Sequence, residues 1–355
     1  MVGISLLTLV PGVVGGSETY ARELLRALAR VGELDYVVFT TSIVANAQIQ
    51  DLTPGSIPGP GLEFRQIRSY RSARTMPGRT AAMARAVLFP GPIRRELELD
   101  RLEAIHFPLT AMLPLVDHPG TVTTMHDLQH EVYPRFFSRA ELLYRRIVYR
   151  RTAQATRLVI APSKYVKGTL VEHLGLAPER VRVAYHGIDH TLFAPAERER
   201  RPFLLYPANR WPHKNHERLF EALALLRRRR PELRLVLTGS GHDGKPVPTG
   251  VDVRGRVAPE ALVELYRRAA ALVFPSLYEG FGAPPLEAMA CGCPVAASDV
   301  CSVPELLGDA AVLFDPRSAE SIAAGVERAL DDEGLPARGL AHAAAFTWEA
   351  CARAH

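Results

Sequence analysis

The chain has 355 residues, 47% hydrophobic and 23% charged, with a formal net charge of +5; this is ordinary globular composition and excludes a disordered or collagen-like polymer. At roughly 100–200 residues per domain, the length implies two domains. The charge is uneven: residues 1–187 hold 23 Lys and Arg against 16 Asp and Glu, while residues 188–355 hold 20 against 22. All the excess positive charge lies in the first half, which points to two surfaces with different partners.

The N-terminal run MVGISLLTLVPG is short and has no basic residue before it. It reads as a buried first strand, Ile4–Val10, rather than as a signal peptide. Gly15-Gly16-Ser17-Glu18 follows, then a helix with Tyr20, Ala21, Leu24, Leu25 and Leu28 on one face. The glycines allow backbone to approach a ligand; the plain alternative is a strand-to-helix turn capped by Ser17. Further strands are expected at Tyr36–Thr40, Ala104–Phe107, Thr121–Met125, Leu158–Ala161 and Val181–Tyr185. Residues 51–61, rich in Pro and Gly, read as a surface loop.

Eight arginines lie between Phe64 and Arg95, at 65, 68, 71, 74, 79, 85, 94 and 95, with no acidic residue among them. Arg145, Arg146, Arg150 and Arg151 form a second cluster on an expected helix. Such a surface suits either solvent or an anionic partner. A nucleic-acid reading motif with stacking aromatics is missing from the sequence, so nucleic acid is not expected as a partner. The run Thr121–Met125 leads straight into His126-Asp127. A histidine at the carboxyl end of a central parallel strand sits where ligands bind, although a lone histidine is more often structural.

The second half repeats the alternation, with strands at Phe203–Tyr206, Leu233–Thr238, Ala271–Phe274, Pro294–Ala297 and Ala311–Phe314. Near-continuous apolar strands separated by helices imply parallel sheets covered on both faces. The expected fold is therefore α/β, with two Rossmann-like doubly wound domains facing across a cleft. The boundary is placed after Gly187, in His186-Gly187-Ile188-Asp189.

Three motifs of the second half bear on chemistry. Arg210 and Lys214, in Asn209–His216, lie where a strand gives way to a helix; a guanidinium and an ammonium there suit a diphosphate. Gly239-Ser240-Gly241-His242-Asp243-Gly244 matches G-x-G-x-x-G, but Lys245-Pro246-Val247-Pro248 cannot be the helix that a dinucleotide site requires. A nicotinamide dehydrogenase is rejected on that ground, while the loop at Gly239 is still expected to approach the donor ligand closely. Third, Glu279-Gly280-Phe281-Gly282 follows a strand and precedes a helix starting near Pro284 or Pro285. Its backbone N–H groups and the helix N-terminus form an anion- or hydroxyl-binding corner. Glu279 on the loop and Glu287, eight residues on, can accept hydrogen bonds from polyol hydroxyls; the plain alternatives are a helix cap and an exposed helical residue. Cys291, Cys293, Cys301 and Cys351 form no disulfide framework and read as buried, reduced thiols.

These residues, taken in order, resemble the retaining glycosyltransferases of family four, of the GT-B architecture. The likeness runs from the Gly15-Gly16 loop through His126-Asp127, the His186–Asp189 hinge, Arg210 with Lys214, Glu279-Gly280-Phe281-Gly282 with Glu287, Ser302-Val303-Pro304-Glu305, and Phe314-Asp315-Pro316 to Phe346-Thr347-Trp348-Glu349. The resemblance implies that Arg210 and Lys214 bind the donor diphosphate, that Glu279 and the Phe281-Gly282 backbone hold the sugar, and that Glu287 holds the ribose. It implies that Gly16 approaches the phosphate and that His126, with Asp127 beside it, contacts the transferred sugar. Transfer with retention follows, through front-face attack without an enzyme nucleophile. It further implies domains at 1–187 (acceptor) and 188–345 (donor), with a helix at 346–355 crossing back to the first. A family departure is His186, where asparagine is frequent.

The reading is thus a retaining hexosyltransferase using a nucleoside-diphosphate sugar of the GDP-mannose or UDP-hexose type. The acceptor is a glycan, a glycolipid or a small molecule. No cofactor and no metal are expected. The compartment is cytoplasmic, with peripheral contact to the anionic inner face of the cell membrane through Arg65–Arg95. The alternatives are a GT-B nucleotide-sugar epimerase and a non-catalytic module that docks on anionic membranes.

Overall fold

A computed structural model of the chain describes residues 1–12, 15–46, 61–73 and 75–355. The loop expected at 51–61 lies outside the described residues except for Gly61, and Arg74 lies outside them too. The chain divides into two compact units, Met1–Tyr185 with Trp348–His355, and His186–Thr347. The division falls after Tyr185 rather than after Gly187. Phe346 and Thr347 stay with the second unit, because Ile188 donates its N–H to the Phe346 carbonyl at 2.9 Å and bridges Thr347.

The first unit is built on seven strands: β1 (Val2–Ser5), β2 (Tyr36–Thr40), β3 (Leu62–Gln66), β4 (Ala104–Phe107), β5 (Thr121–Thr124), β6 (Leu158–Ala161) and β7 (Val181–Val183). They lie in the order β3-β2-β1-β4-β5-β6-β7, and every pairing is parallel. Alternate side chains of β2 serve opposite faces of the sheet. Tyr36 and Val38 pack with Leu24, Leu25 and Leu28 of the helix Gly16–Val31. Val37 and Phe39 pack with Ile93, Leu97 and Phe107. The helix Trp348–Ala354 adds Trp348, Cys351 and Ala352 to the first of these clusters.

The second unit holds β8 (Arg201–Pro207), β9 (Arg234–Thr238), β10 (Val251–Val253), β11 (Ala269–Phe274), β12 (Val295–Ser298) and β13 (Val312–Phe314). Their order is β10-β9-β8-β11-β12-β13, again parallel throughout. Each unit is therefore a Rossmann-like doubly wound sheet. The strand order reverses between β1 and β4 in one unit and between β8 and β11 in the other. That switch opens a crevice at the carboxyl ends of the strands, where α/β sheets bind ligands.

Two strands escape a search for apolar runs. β3 and β10 each lie at one edge of their sheet, are only partly buried, and carry Glu63, Arg65 and Asp252. An edge strand is covered on fewer sides and tolerates charge. Conversely, Ile4–Val10 is not one strand. Pairing stops at Ser5, and Leu6, Leu7, Leu9 and Val10 are buried in a turn. The four cysteines form no disulfide: Cys291, Cys293 and Cys351 are buried and Cys301 is half-buried. Burial pushes the Cys291 thiol up to about 12 and Cys293 up to about 11, so both are inert.

Candidate active site

The second unit's crevice begins where β8 ends. Asn209 turns the chain by accepting, at its Oδ1, hydrogen bonds from the Ser240 N–H (2.7 Å) and hydroxyl (2.8 Å). Arg210 follows; its side chain is mostly buried, stacks 5.5 Å from the Phe220 ring centre and donates to Glu217 Oε1 at 2.7 Å. A short turn, Pro212–Lys214, ends on Asn215 in the left-handed region at φ 60°, a conformation that asparagine tolerates. The Asn215 amide then reaches the carbonyls of Pro275 (3.1 Å) and Pro316 (2.7 Å), tying the ends of β11 and β13 to this turn. Tyr206, buried in β8, donates its hydroxyl to the Lys214 carbonyl at 2.8 Å.

The result is a fixed Lys214. Its Nζ lies 2.5 Å from Glu279 Oε1, with the two side chains only 15% and 12% exposed. The ammonium from the β8 loop and the carboxylate from the β11 loop thus meet in the crevice at the switch point. Little water screens them, so loss of either partner would leave the other charge uncompensated. Glu279 does not cap the helix Ala283–Ala290: its N-cap is Gly282, with no side-chain cap, and Pro284 and Pro285 occupy the first turn. Gly282 sits at φ 88°, which a side chain rarely adopts, and this lets the loop turn into the helix. The Ser302 hydroxyl lies 3.0 Å from the Glu279 carbonyl and 3.1 Å from that of Phe281, clamping the Glu279–Gly282 loop, Gly280 included. The Phe281 ring is buried against His186 (4.6 Å) and Phe346 (6.3 Å), so this residue offers the crevice its backbone and not its ring.

Glu287 is not an exposed helical residue either. It is half-buried and accepts a hydrogen bond from the Tyr266 hydroxyl at 2.9 Å. Burial raises its carboxyl to about 7, against a smaller opposing effect of that hydroxyl.

No helix opens at the glycine loop after β9; Gly239 to Gly250 run in turns to β10. Gly239 has a structural reason. A Cβ there would sit 2.7 Å from the Ala208 carbonyl carbon and 2.9 Å from the Asn209 nitrogen. Its smallness lets the β9 loop press against the β8 loop.

In the first unit, Gly15 is the N-cap of the helix Gly16–Val31 and Ser17 is not. An added Cβ at Gly15 or Gly16 would meet open space. His126 follows β5 and donates from Nε2 to the Pro108 carbonyl at 2.8 Å, because a carbonyl only accepts. Its lone pair is therefore on Nδ1. Burial lowers its basicity, and the imidazole is neutral at pH 7. Tyr20 packs edge-on against its ring at 4.8 Å. Asp127 accepts the Gln129 N–H at 2.9 Å in a turn and makes the corner after His126.

Behind His126 runs a chain that sequence reading did not find. His355 donates from Nδ1 to the Cys351 carbonyl at 2.8 Å, and burial drives its basicity down to about 4. Its Nε2 therefore accepts from the Tyr20 hydroxyl at 2.6 Å, which in turn contacts the Thr124 hydroxyl at 2.8 Å. His106 meets the same Thr124 oxygen at 2.8 Å. Tyr20, Tyr266, Asn215 and Ser302 are all supporting residues of this kind. Only Asn215, at a turn, carried a local signal; the others touch their partners across more than 20 residues of chain. Among the described residues no group of three or more His, Cys, Asp or Glu could hold a metal ion.

The chain is similar to known proteins in sequence and in fold. Residues 14–192 match the family described as Glycosyltransferase Family 4, and residues 188–344 match Glycosyl transferases group 1. The O-antigen chain mannosyltransferase B of Escherichia coli is 30% identical over 65% of this chain and 67% of its own length. A D-inositol 3-phosphate glycosyltransferase of Salinispora tropica is 29% identical over 95% of this chain and 79% of its own. Among solved structures, the sucrose-phosphate synthase of Thermosynechococcus elongatus superposes with a TM-score of 0.72 at 20% identity, covering 99% of this chain and 96% of that one. The HepE protein of Anabaena, in complex with UDP and glucose, gives 0.71 at 17% identity, covering 99% and 97%. Fold and sequence together define a glycosyltransferase of the GT-B type. The chain belongs to glycosyltransferase family 4.

Proposed function

We propose that this protein transfers a hexose-type sugar, with retention of configuration, from a nucleoside diphosphate to a glycan, glycolipid or small-molecule acceptor. GDP-mannose is the first donor to test, in view of the E. coli mannosyltransferase, and UDP-hexoses the second, in view of the HepE complex. The observation that carries the reading is the Lys214–Glu279 pair in the second unit's crevice. A cation and an anion held 2.5 Å apart there suit a ligand with a diphosphate at one end and hydroxyls at the other.

The division of labour follows from the chemistry of each group. Lys214 and Arg210 neutralise the diphosphate. Arg210 leaves Glu217 to do so at small cost, since Glu217 is 76% exposed and such pairs contribute about 1 kcal/mol or less. Glu279, relieved of Lys214, accepts hydrogen bonds from sugar hydroxyls, and Glu287 accepts from the ribose. The backbone of Gly280, Phe281 and Gly282 faces the same ligand. The first unit takes the acceptor and supplies neutral His126, with Asp127 next to it in the chain, to the transfer step; Gly15 and Gly16 are assigned to the donor phosphate. The acceptor hydroxyl attacks the anomeric carbon on the face the diphosphate leaves. The bond from that carbon to the phosphate oxygen breaks, and the leaving phosphate takes the hydroxyl proton. The two cations stabilise the charge that develops there, which serves in place of a metal ion.

A thermal-shift screen of nucleotide sugars, followed by hydrolysis and transfer assays on the hits, tests this. Stabilisation by one nucleotide sugar and release of its nucleoside diphosphate are expected. Epimerised nucleotide sugar as the main product would overturn the transferase, and stabilisation by none would overturn the donor site.

A further inference from the structure

We propose that Tyr20 and His355 are positioning residues for His126: a one-way hydrogen-bond chain through His106, Thr124, Tyr20 and His355 holds the Tyr20 ring against the His126 imidazole and sets its orientation for sugar transfer. The proposal rests on the role given to His126 in the proposed function and deepens it.

The sheet brings the members together. In the first unit Ile4 pairs with His106, and His106 pairs with Val122. Side chains two residues apart on a strand share a face, so Thr124 stands on the same face as His106 and Ile4. The helix Gly16–Val31 covers that face, where Tyr20 packs in one core cluster with Ile4 and Trp348. His355 follows the helix Trp348–Ala354; its ring lies 6.0 Å from that of Tyr20 and 5.4 Å from that of His106. Segments distant in sequence thus meet at Thr124, two residues before His126.

The direction of the chain follows from its end. The Cys351 carbonyl only accepts, so His355 carries its hydrogen on Nδ1, and its Nε2 takes the Tyr20 hydroxyl hydrogen at 2.6 Å. Burial drives the basicity of His355 down to about 4, so the ring is neutral at pH 7. Tyr20 has no second hydrogen to give, so Thr124 donates to it at 2.8 Å. Thr124 in turn accepts from His106 Nε2 at 2.8 Å. Tyr20 cannot turn without breaking two of these bonds at once.

His126 uses the result. Its Nε2 donates to the Pro108 carbonyl at 2.8 Å, and its backbone N–H to the Thr110 hydroxyl at 3.4 Å. The Tyr20 ring, T-shaped to the imidazole at 4.8 Å and 82°, blocks the rocking that a hydrogen bond at one ring nitrogen leaves open. A phenylalanine would fill the same space. The two hydrogen bonds of a buried tyrosine add little net stability, because each replaces a bond to water. What a satisfied buried network adds is a fixed geometry.

The test separates geometry from stability. Tyr20→Phe keeps the ring and removes its hydrogen bonds. His355→Leu removes the acceptor, and His355→Gln returns one, since the amide oxygen falls where Nε2 stood. Turnover is read with GDP-mannose, or with UDP-glucose if the thermal-shift screen selects it. Tyr20→Phe and His355→Leu should lower kcat about tenfold, short of the roughly hundredfold that a 1 Å misplacement costs. Donor KM should hold, because Lys214 and Glu279 lie in the second unit. His355→Gln should recover most of the loss. In ¹⁵N spectra of labelled histidine, His106 should carry its hydrogen on Nε2 in the wild type and on Nδ1 in His355→Leu, as Tyr20 and Thr124 turn their hydrogens round; the signal is assigned by its loss in His106→Asn. A role in stability alone would lower the thermal midpoint and leave kcat of the folded variants unchanged. Wild-type kcat in folded His355→Leu, with His126→Ala inactive, would overturn this proposal and spare the proposed function. Full turnover by His126→Ala would overturn the role of His126 and this proposal with it. A His106 hydrogen that stays on Nε2 in His355→Leu would overturn the chain itself.

Discussion

Lys214 and Glu279 show how much two side chains can carry. Each is partly neutralised by the other in the free protein, so removing either leaves an uncompensated charge away from water. Lys214→Ala is therefore expected to lower turnover by about 10²–10³-fold, the range typical for loss of one group stabilising a developing oxyanion. Glu279→Ala should lower it too, with native circular dichroism retained in both. Near-wild-type turnover of a folded variant would remove that residue from the site. Glu287 adds a pH dependence. Its folded carboxyl, at about 7, lies above its ordinary value because burial disfavours the charge. The stability it contributes is thus complete below the unfolded value and is lost as pH rises through about 7, by up to roughly 3 kcal/mol. Ionised, it is the better acceptor for ribose hydroxyls. Donor affinity should therefore rise between pH 6 and pH 8, while the free protein's thermal midpoint falls. Glu287→Gln should flatten both profiles, and slopes unchanged in that variant would assign the titration elsewhere.

Among the elements, the helix Trp348–Ala354 is far from the first unit in sequence and integral to it in space. Trp348, Cys351 and Ala352 join the core around Tyr20, Leu24 and Leu28, and Arg30 pairs with Glu349 at 3.1 Å. Tyr20 lies at 1% exposure between this helix and His126, holding His355 on one side and the His126 imidazole on the other. Trp348→Ala should cost about 3 kcal/mol of stability, the lower end for truncating a buried aromatic. Thermal unfolding read separately from donor binding checks this: the midpoint should fall while nucleotide-sugar affinity at the second unit holds. Equal loss of both would show that the helix serves the donor site directly. The glycine loop after β9 makes the complementary point. Its resemblance to a dinucleotide motif comes from glycines that let backbone pass backbone at Ala208 and Asn209.

Across the whole molecule, the net charge of +5 predicts neither site. The half with the acidic excess carries the proposed diphosphate site, through two placed cations. Sugar release should accordingly survive chelation of divalent metal; activity abolished by chelator and restored by Mg²⁺ or Mn²⁺ would overturn the assignment of the phosphate charge to Arg210 and Lys214. The excess arginines of the first half divide into those that brace the fold, such as Arg65 on Glu98 and Arg146 on Glu131, and those left exposed, such as Arg85 and Arg150. By itself, the sequence determined the two doubly wound domains, since buried parallel strands must read as apolar runs such as Tyr36–Thr40 and Ala269–Phe274. It also marked Arg210, Lys214, Glu279 and His126, because each lies just beyond such a run, where the crevice opens. It missed β3 and β10, whose exposure at the sheet edges dilutes the apolar signal. Only the tertiary structure decided that Lys214 meets Glu279, that Tyr266 holds Glu287, that Ser302 clamps the loop and that Tyr20 backs His126. Each of these contacts joins segments brought together by sheet order. Spacing along the chain says nothing about distance across a sheet, and burial, which sets the charge state of Glu287 and His126, exists only once the packing is complete.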